Sequence, residues 1–187
     1  MAKELFDKFE IAKRIFKDAD NILGLPISKI ILEGPEDKLN LTENTQPAIF
    51  LTSYTIFKVA IKEFGINLDN AQYIAGHSLG EYSALCCYGA LRFEDTLKIL
   101  KKRGRSMQEA VPAKVGSMLA VLGTEQKVIE ELIGDNAIEC FIANNNSPQQ
   151  VVVSGLNKNI ELFSQVLNKS KIKNIKRLNM HNITYNM

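Results

Sequence analysis

Tryptophan is absent from this 187-residue chain, cysteine and histidine are scarce, and neither sign of charge dominates. The three thiols, Cys86, Cys87 and Cys140, fall at no metal-ligand spacing, and an odd count makes a poor disulfide framework. Only His77 and His181 could add to them, so no metal site is expected. The 23 basic and 21 acidic residues leave a net charge of +2, which gives no reason to expect a nucleic-acid or membrane-surface partner. One short basic cluster, Lys101, Lys102, Arg103 and Arg105, reads as a solvated helix face. No uninterrupted apolar run reaches the roughly 18 residues of a membrane helix. The nearest, 48–66, is broken by Lys58, Lys62 and Glu63. The start, Met1 to Asp7, lacks the basic-then-apolar order of a secretory signal, and its acidic residues argue against a transit peptide. A reducing cytoplasm is the expected setting.

What is present is enough to fold. Hydrophobic residues make up 45% and charged residues 24%, so a sizeable core is expected, in one domain or one domain with a smaller companion. Leu5, Phe9, Ala12, Phe16, Ala19 and Leu23 recur at steps of three and four, which predicts one helix over 4–23 stopped by Gly24. Gly34-Pro35 reads as a breaker. Residues 42–47 read as loop and cap, with Pro47 in a first helical turn where its missing N–H is harmless. The helix that follows runs to Phe64 and stops at Gly65; being apolar on most faces, it is expected to be buried. Tyr73-Ile74-Ala75 is a strand candidate, followed by Gly76 to Gly80, a small-residue helix ending near Gly89, and a helix over Phe93 to Ala110 despite Gly104.

After Pro112 the rhythm changes. Strands are expected at Met118–Leu122, Ile138–Ala143, Gln150–Ser154 and Lys173–Leu178, helices at Glu125–Ile133 and Asn159–Leu167, and a loop at Asn144 to Pro148. This β-α-β-β-α-β order is that of a ferredoxin-like module. The first 110 residues, by contrast, hold four or more helices and a single strand candidate. A lone buried strand leaves its backbone groups unpaired on both sides, so something that should pair with it is missing.

Gly76-His77-Ser78-Leu79-Gly80 matches the Gly-x-Ser-x-Gly nucleophile elbow, in the strand-to-helix context the motif requires. Small flanking residues permit a sharp turn that lifts the Ser78 hydroxyl clear, and the Leu79 backbone N–H then points at the oxygen of a tetrahedral intermediate. A serine N-cap between strand and helix is the other reading. Arg103, on the next helix, is either a surface arginine or a planar fork able to hold a carboxylate by two hydrogen bonds.

Ala75-Gly-His-Ser-Leu-Gly-Glu-Tyr-Ser-Ala84, Gly89-Ala-Leu-Arg-Phe-Glu-Asp95 and Arg103-Gly-Arg-Ser-Met-Gln-Glu-Ala-Val-Pro112 resemble the malonyl-CoA:acyl carrier protein transacylase family of type II fatty acid synthesis. Glu43-Asn-Thr-Gln-Pro-Ala48 and Asn146-Ser-Pro-Gln-Gln-Val-Val-Val-Ser-Gly155 continue the match, which runs from near residue 4 to about Arg177. The resemblance implies an α/β fold: a partial α/β-hydrolase-like large subdomain over 1–113, a small ferredoxin-like subdomain over 114–179, and a divergent tail over 180–187. It implies ping-pong transfer of malonyl from coenzyme A to acyl carrier protein through a Ser78 acyl-enzyme, with malonyl-CoA as substrate and no permanently bound cofactor. Arg103 matches the family arginine that pairs with the malonyl carboxylate, and Met107 a residue lining the acyl pocket. His77 matches a histidine near the malonyl group, or is a packed residue of the elbow. Gln46 matches a glutamine with a structural role. Asn146 matches a loop near the cofactor, or is a turn-forming asparagine before Ser-Pro.

The chain departs from the family pattern at both ends. The first family strand, with its Gly-Gln-Gly-Ser-Gln loop carrying the second oxyanion donor, is absent, as is the Pro-x-His segment that carries the catalytic base. His181 lies in a polar tail without those neighbours. The expectation is therefore a truncated member with impaired chemistry. Two other functions compete: a serine hydrolase or thioesterase on the same elbow, and a non-catalytic fragment that binds acyl carrier protein through Lys101, Lys102 and Arg105.

Overall fold

The computed structural model describes residues 1–68, 70–110 and 115–178. The chain divides into two compact units, Met1–Ser106 and Met107–Met187. His181 and the tail over 180–187 lie outside the described residues.

Among the described residues the regular elements of the first unit are all helices: α1 (Lys3–Lys8), α2 (Glu10–Leu23), α3 (Ile27–Glu33), α4 (Glu36–Leu39), α5 (Thr42–Phe64), α6 (Leu79–Tyr88) and the greater part of α7 (Phe93–Ala110), which runs on into the second unit. Its core joins Phe16, Ile27, Phe50, Leu51, Leu97 and Leu100, all fully or almost fully buried. Gly24, Gly65 and Gly89 end α2, α5 and α6 in the left-handed region that favours glycine.

Four expectations are corrected here. The predicted helix over 4–23 is broken at Phe9, whose backbone is extended (φ −120°, ψ 121°). The break lets Phe6 meet Phe16 edge-on at 5.5 Å, whereas in one straight helix ten residues would separate them by about 15 Å. Pro47 is the sixth residue of α5, past the first turn, because α5 already starts at Thr42. Burial of α5 holds for one face only: Ala48, Phe50, Leu51, Thr55 and Val59 are buried, while Ile49, Ile56 and Phe64 are exposed. Tyr73-Ile74-Ala75 forms no strand, since no other segment among the described residues offers it a ladder.

The second unit has the element order β1 (Gly116–Leu122), α8 (Gln126–Asp135), β2 (Cys140–Ser147), β3 (Gln150–Leu156), α9 (Asn157–Lys169) and β4 (Ile175–Leu178). The four strands form an antiparallel sheet in the order β2-β3-β1-β4. Val121 pairs with Val151 and Leu119 with Val153; with Ile129 of α8 and Phe163 and Leu167 of α9 they make the main core. Met118, Ala120 and Val152, which alternate with these residues, form a smaller cluster with Ala143 and Leu178. The expected loop at Asn144–Pro148 is instead mostly strand: β2 continues through Ser147, with register shifts at 142–144 and 145–147. An edge strand tolerates this polar stretch because half its backbone faces no neighbour. No helix among the described residues is long and apolar enough to cross a membrane.

Candidate active site

Ser78 sits in a backbone conformation that side chains rarely adopt, with φ 54° and ψ −117°. The Gly80 amide donates to the His77 carbonyl at 2.8 Å, which closes a tight turn with Ser78 at its first central position. Such a conformation costs of order 1–3 kcal/mol and persists only where the surroundings enforce it. Two features enforce it. A Cβ on Gly76 would lie 2.0 Å from the backbone carbon and oxygen of Gly80, so residue 76 must be glycine for the chain to double back. Leu79, directly after the turn, is buried in the first core and anchors the start of α6.

The N-cap alternative fails on one observation. Ser78 occupies the cap position of α6, yet its hydroxyl makes no capping hydrogen bond. Instead its Oγ accepts from Arg103 Nη2 at 3.2 Å. At the start of α6, Glu81 donates back to the Ser78 carbonyl at 3.2 Å, while the Leu79 amide has no backbone acceptor among the described residues. A free amide beside an exposed hydroxyl, at the positive end of a helix, suits an oxyanion.

Arg103 reaches Ser78 because α7 approaches the first turn of α5 closely. A Cβ on Gly104 would meet the Thr42 carbonyl oxygen at 2.5 Å and the Glu43 Cα at 2.8 Å. This contact brings Arg103 Nη1 onto Oε1 of buried Gln46. The guanidinium also lies 5.9 Å from the Tyr82 ring centroid, a cation–π distance. These three partners are all neutral, and no carboxylate pairs with Arg103 among the described residues, so its charge is open to an anionic ligand.

Lys101 is drawn inward as well, to Glu43 at 3.1 Å and Asn44 at 3.0 Å. The solvated-face reading of the basic cluster therefore fails for Lys101 and Arg103; Lys102 and Arg105 are exposed.

His77 is exposed beside the nucleophile, and Met107 follows Arg103 by one turn of α7, half-buried. Asn146 lies in β2 of the second unit, where its amide donates to Gln150 at 3.3 Å. The structure thus brings Ser78, Leu79, Arg103 and Gln46 together. Tyr82 and Gly104 are members the sequence reading passed over; the signal for Tyr82 was its place one helical turn after Ser78. The thiols are not competing nucleophiles at neutral pH. Burial raises the pKa of all three, Cys87 and Cys140 to about 11. Among the described residues no cluster of metal-ligating side chains occurs.

A family model described as an acyl transferase domain matches residues 1–187. The malonyl CoA-acyl carrier protein transacylase of Bacillus subtilis (strain 168) is 42% identical over 177 residues, covering 92% of this chain and 54% of the relative. An acyl-carrier-protein-S-malonyltransferase from Bartonella henselae superposes with a TM-score of 0.88 at 39% identity, over 96% of this chain and 58% of its own. A malonyl-transacylase solved in complex with its type II PKS acyl-carrier protein gives 0.89 at 32% identity, over 97% and 59%. The chain spans about half the length of the curated relatives it matches.

Proposed function

The chain belongs to the acyl transferase domain family, and from that premise we propose that it carries malonyl from coenzyme A to acyl carrier protein through an ester on Ser78. The observation that carries this reading is the uncompensated Arg103 guanidinium held 3.2 Å from the Ser78 oxygen. An acyl group with a free carboxylate can lay that carboxylate on the arginine while its thioester carbonyl faces the serine. An uncharged acyl group would leave the cation without an anionic partner.

In the first half-reaction the Ser78 Oγ attacks the thioester carbonyl, the carbon–sulfur bond breaks, and the coenzyme A thiol leaves with the proton. In the second, the phosphopantetheine thiol of the carrier attacks the ester and Ser78 regains its proton. The Leu79 N–H faces the oxyanion in both. The family resemblance assigns Met107 to the acyl pocket and His77 to the neighbourhood of the malonyl group. Malonyl-CoA is a substrate, and no cofactor stays bound. The elbow supports a partial α/β-hydrolase-like large subdomain over 1–113, and the sheet order supports a ferredoxin-like small subdomain over 114–179. The three free thiols suit a reducing cytoplasm.

The test is intact-mass analysis after incubation with malonyl-CoA or acetyl-CoA, using the chain extended by the unaligned segments of the Bacillus subtilis relative. A malonyl adduct lost in Ser78→Ala is expected. Arg103→Ala should lower malonyl loading by about 2–5 kcal/mol of transition-state stabilisation and narrow the gap to acetyl. Unchanged malonyl selectivity in that variant would refute the carboxylate clamp; steady release of free acid without carrier loading would make the protein a hydrolase.

A further inference from the structure

α7 meets the first turn of α5 backbone to backbone at Gly104, where an added Cβ would lie 2.5 Å from the Thr42 carbonyl oxygen and 2.8 Å from the Glu43 Cα. Helices that interlock through ridges and grooves need side chains at the crossing. A bare glycine contact fixes how closely two helices approach and leaves α7 free to roll about its own axis. At 3.6 residues per turn, Lys101 and Arg103 lie about 60° and 100° from Gly104, on opposite sides of it. Both reach back to α5. Lys101 Nζ donates to Glu43 Oε2 at 3.1 Å and to Asn44 Oδ1 at 3.0 Å, and Arg103 Nη1 donates to Gln46 Oε1. The anchor for Lys101 is itself held: Asn44 is buried and its amide donates to the Lys38 carbonyl at 2.9 Å, while the Thr45 hydroxyl donates to the Leu39 carbonyl at 2.6 Å. With side chains only 26% and 30% exposed, the Lys101–Glu43 pair is screened less than a pair on the open surface.

We propose that Lys101 is a positioning residue: by gripping Glu43 and Asn44 on one side of the Gly104 contact it sets the roll of α7, and so the place of the Arg103 guanidinium beside Ser78. The proposal rests on the reading of Arg103 as the group that receives the acyl carboxylate. A roll of about 10° carries a side-chain tip about 5–6 Å off the helix axis through about 1 Å. A misplacement of that size costs about 10²-fold where a reaction depends on orientation. Arg103 serves the carboxylate while Ser78 serves the carbonyl, with 3.2 Å between the two groups. Release of the roll therefore weakens capture of a carboxylate before it touches an uncharged acyl group. A lysine that merely tied two helices together would change stability and leave Arg103 as it was.

The experiment treats the 187-residue chain with phenylglyoxal, which modifies guanidinium groups, with and without malonate. Peptide mass spectrometry then reads Arg103, with the exposed Arg14 of α2 as internal reference. In the parent chain malonate should slow modification of Arg103 and leave Arg14 unaffected. Lys101→Met should speed modification of Arg103 relative to Arg14 and raise the malonate concentration needed to protect it by about tenfold. Lys101→Arg keeps the charge and the donors and should restore both. Glu43→Gln, which keeps the shape of the side chain and so its packing, should move both readouts in the same direction as Lys101→Met. Parent-like rates and protection in Lys101→Met and Glu43→Gln, whatever their melting temperatures, would overturn the proposal. Absence of malonate protection in the parent would instead refute the carboxylate clamp. The rates without malonate would then decide the grip alone: faster Arg103 in Lys101→Met sustains it, and no change overturns it.

Discussion

At the scale of single residues, the two glycines of the elbow motif have opposite status. Gly76→Ala drives a Cβ into the Gly80 backbone and should destabilise the first unit by about 1–3 kcal/mol, the usual range for overpacking. Gly80→Ala meets open space inside a helix and should be neutral or stabilising by up to about 1 kcal/mol. Paired urea melts check the contrast; equal losses would mean that the motif is held by something other than the 76–80 contact. Cys140 provides a pH signature. Burial raises its thiol from 9.0 to about 11, so the folded state prefers the protonated form. That contribution is complete below pH 9 and is lost as pH rises through 11. Melting temperature should therefore fall between about pH 9 and 11, and less so in Cys140→Ala, which thermal scans at both ends of that range would show.

At the scale of elements, Gly104 is the pivot of the site. Gly104→Ala should push α7 away from the first turn of α5, cost about 1–3 kcal/mol, and separate Arg103 from Gln46 without altering any charge. A variant that melts like the parent and keeps its malonyl preference would refute that coupling. Much of the element list was legible in advance. The glycine stops at 24, 65 and 89, the helix over 93–110 and the four strands of the second unit all follow from periodicity and turn chemistry. The break at Phe9 was not legible, because its cause is tertiary: Phe6 meets Phe16, and Phe9 meets Phe64 at 6.2 Å across 55 residues of sequence. The extension of β2 through three asparagines was hidden by their poor strand propensity, which an edge position overrides. In the site, Ser78 and Arg103 could be picked out from motif and resemblance. The inward pull on Lys101 could not, since its partners Glu43 and Asn44 lie almost sixty positions earlier.

At the scale of the whole molecule, protection should be uneven. The second unit pairs every strand with at least one other and closes a core around Phe163, whereas residues 71–78 are exposed. Amides of β1 and β3 should exchange at the slowest rates and those of 73–75 at the fastest among ordered segments. The nucleophile shares that weakness. Ser78 accepts a bond from a guanidinium, which cannot act as a base, so the 187-residue chain alone should load malonyl at least about 10²-fold more slowly than the extended form. Comparable single-turnover rates would show that a base is already in place.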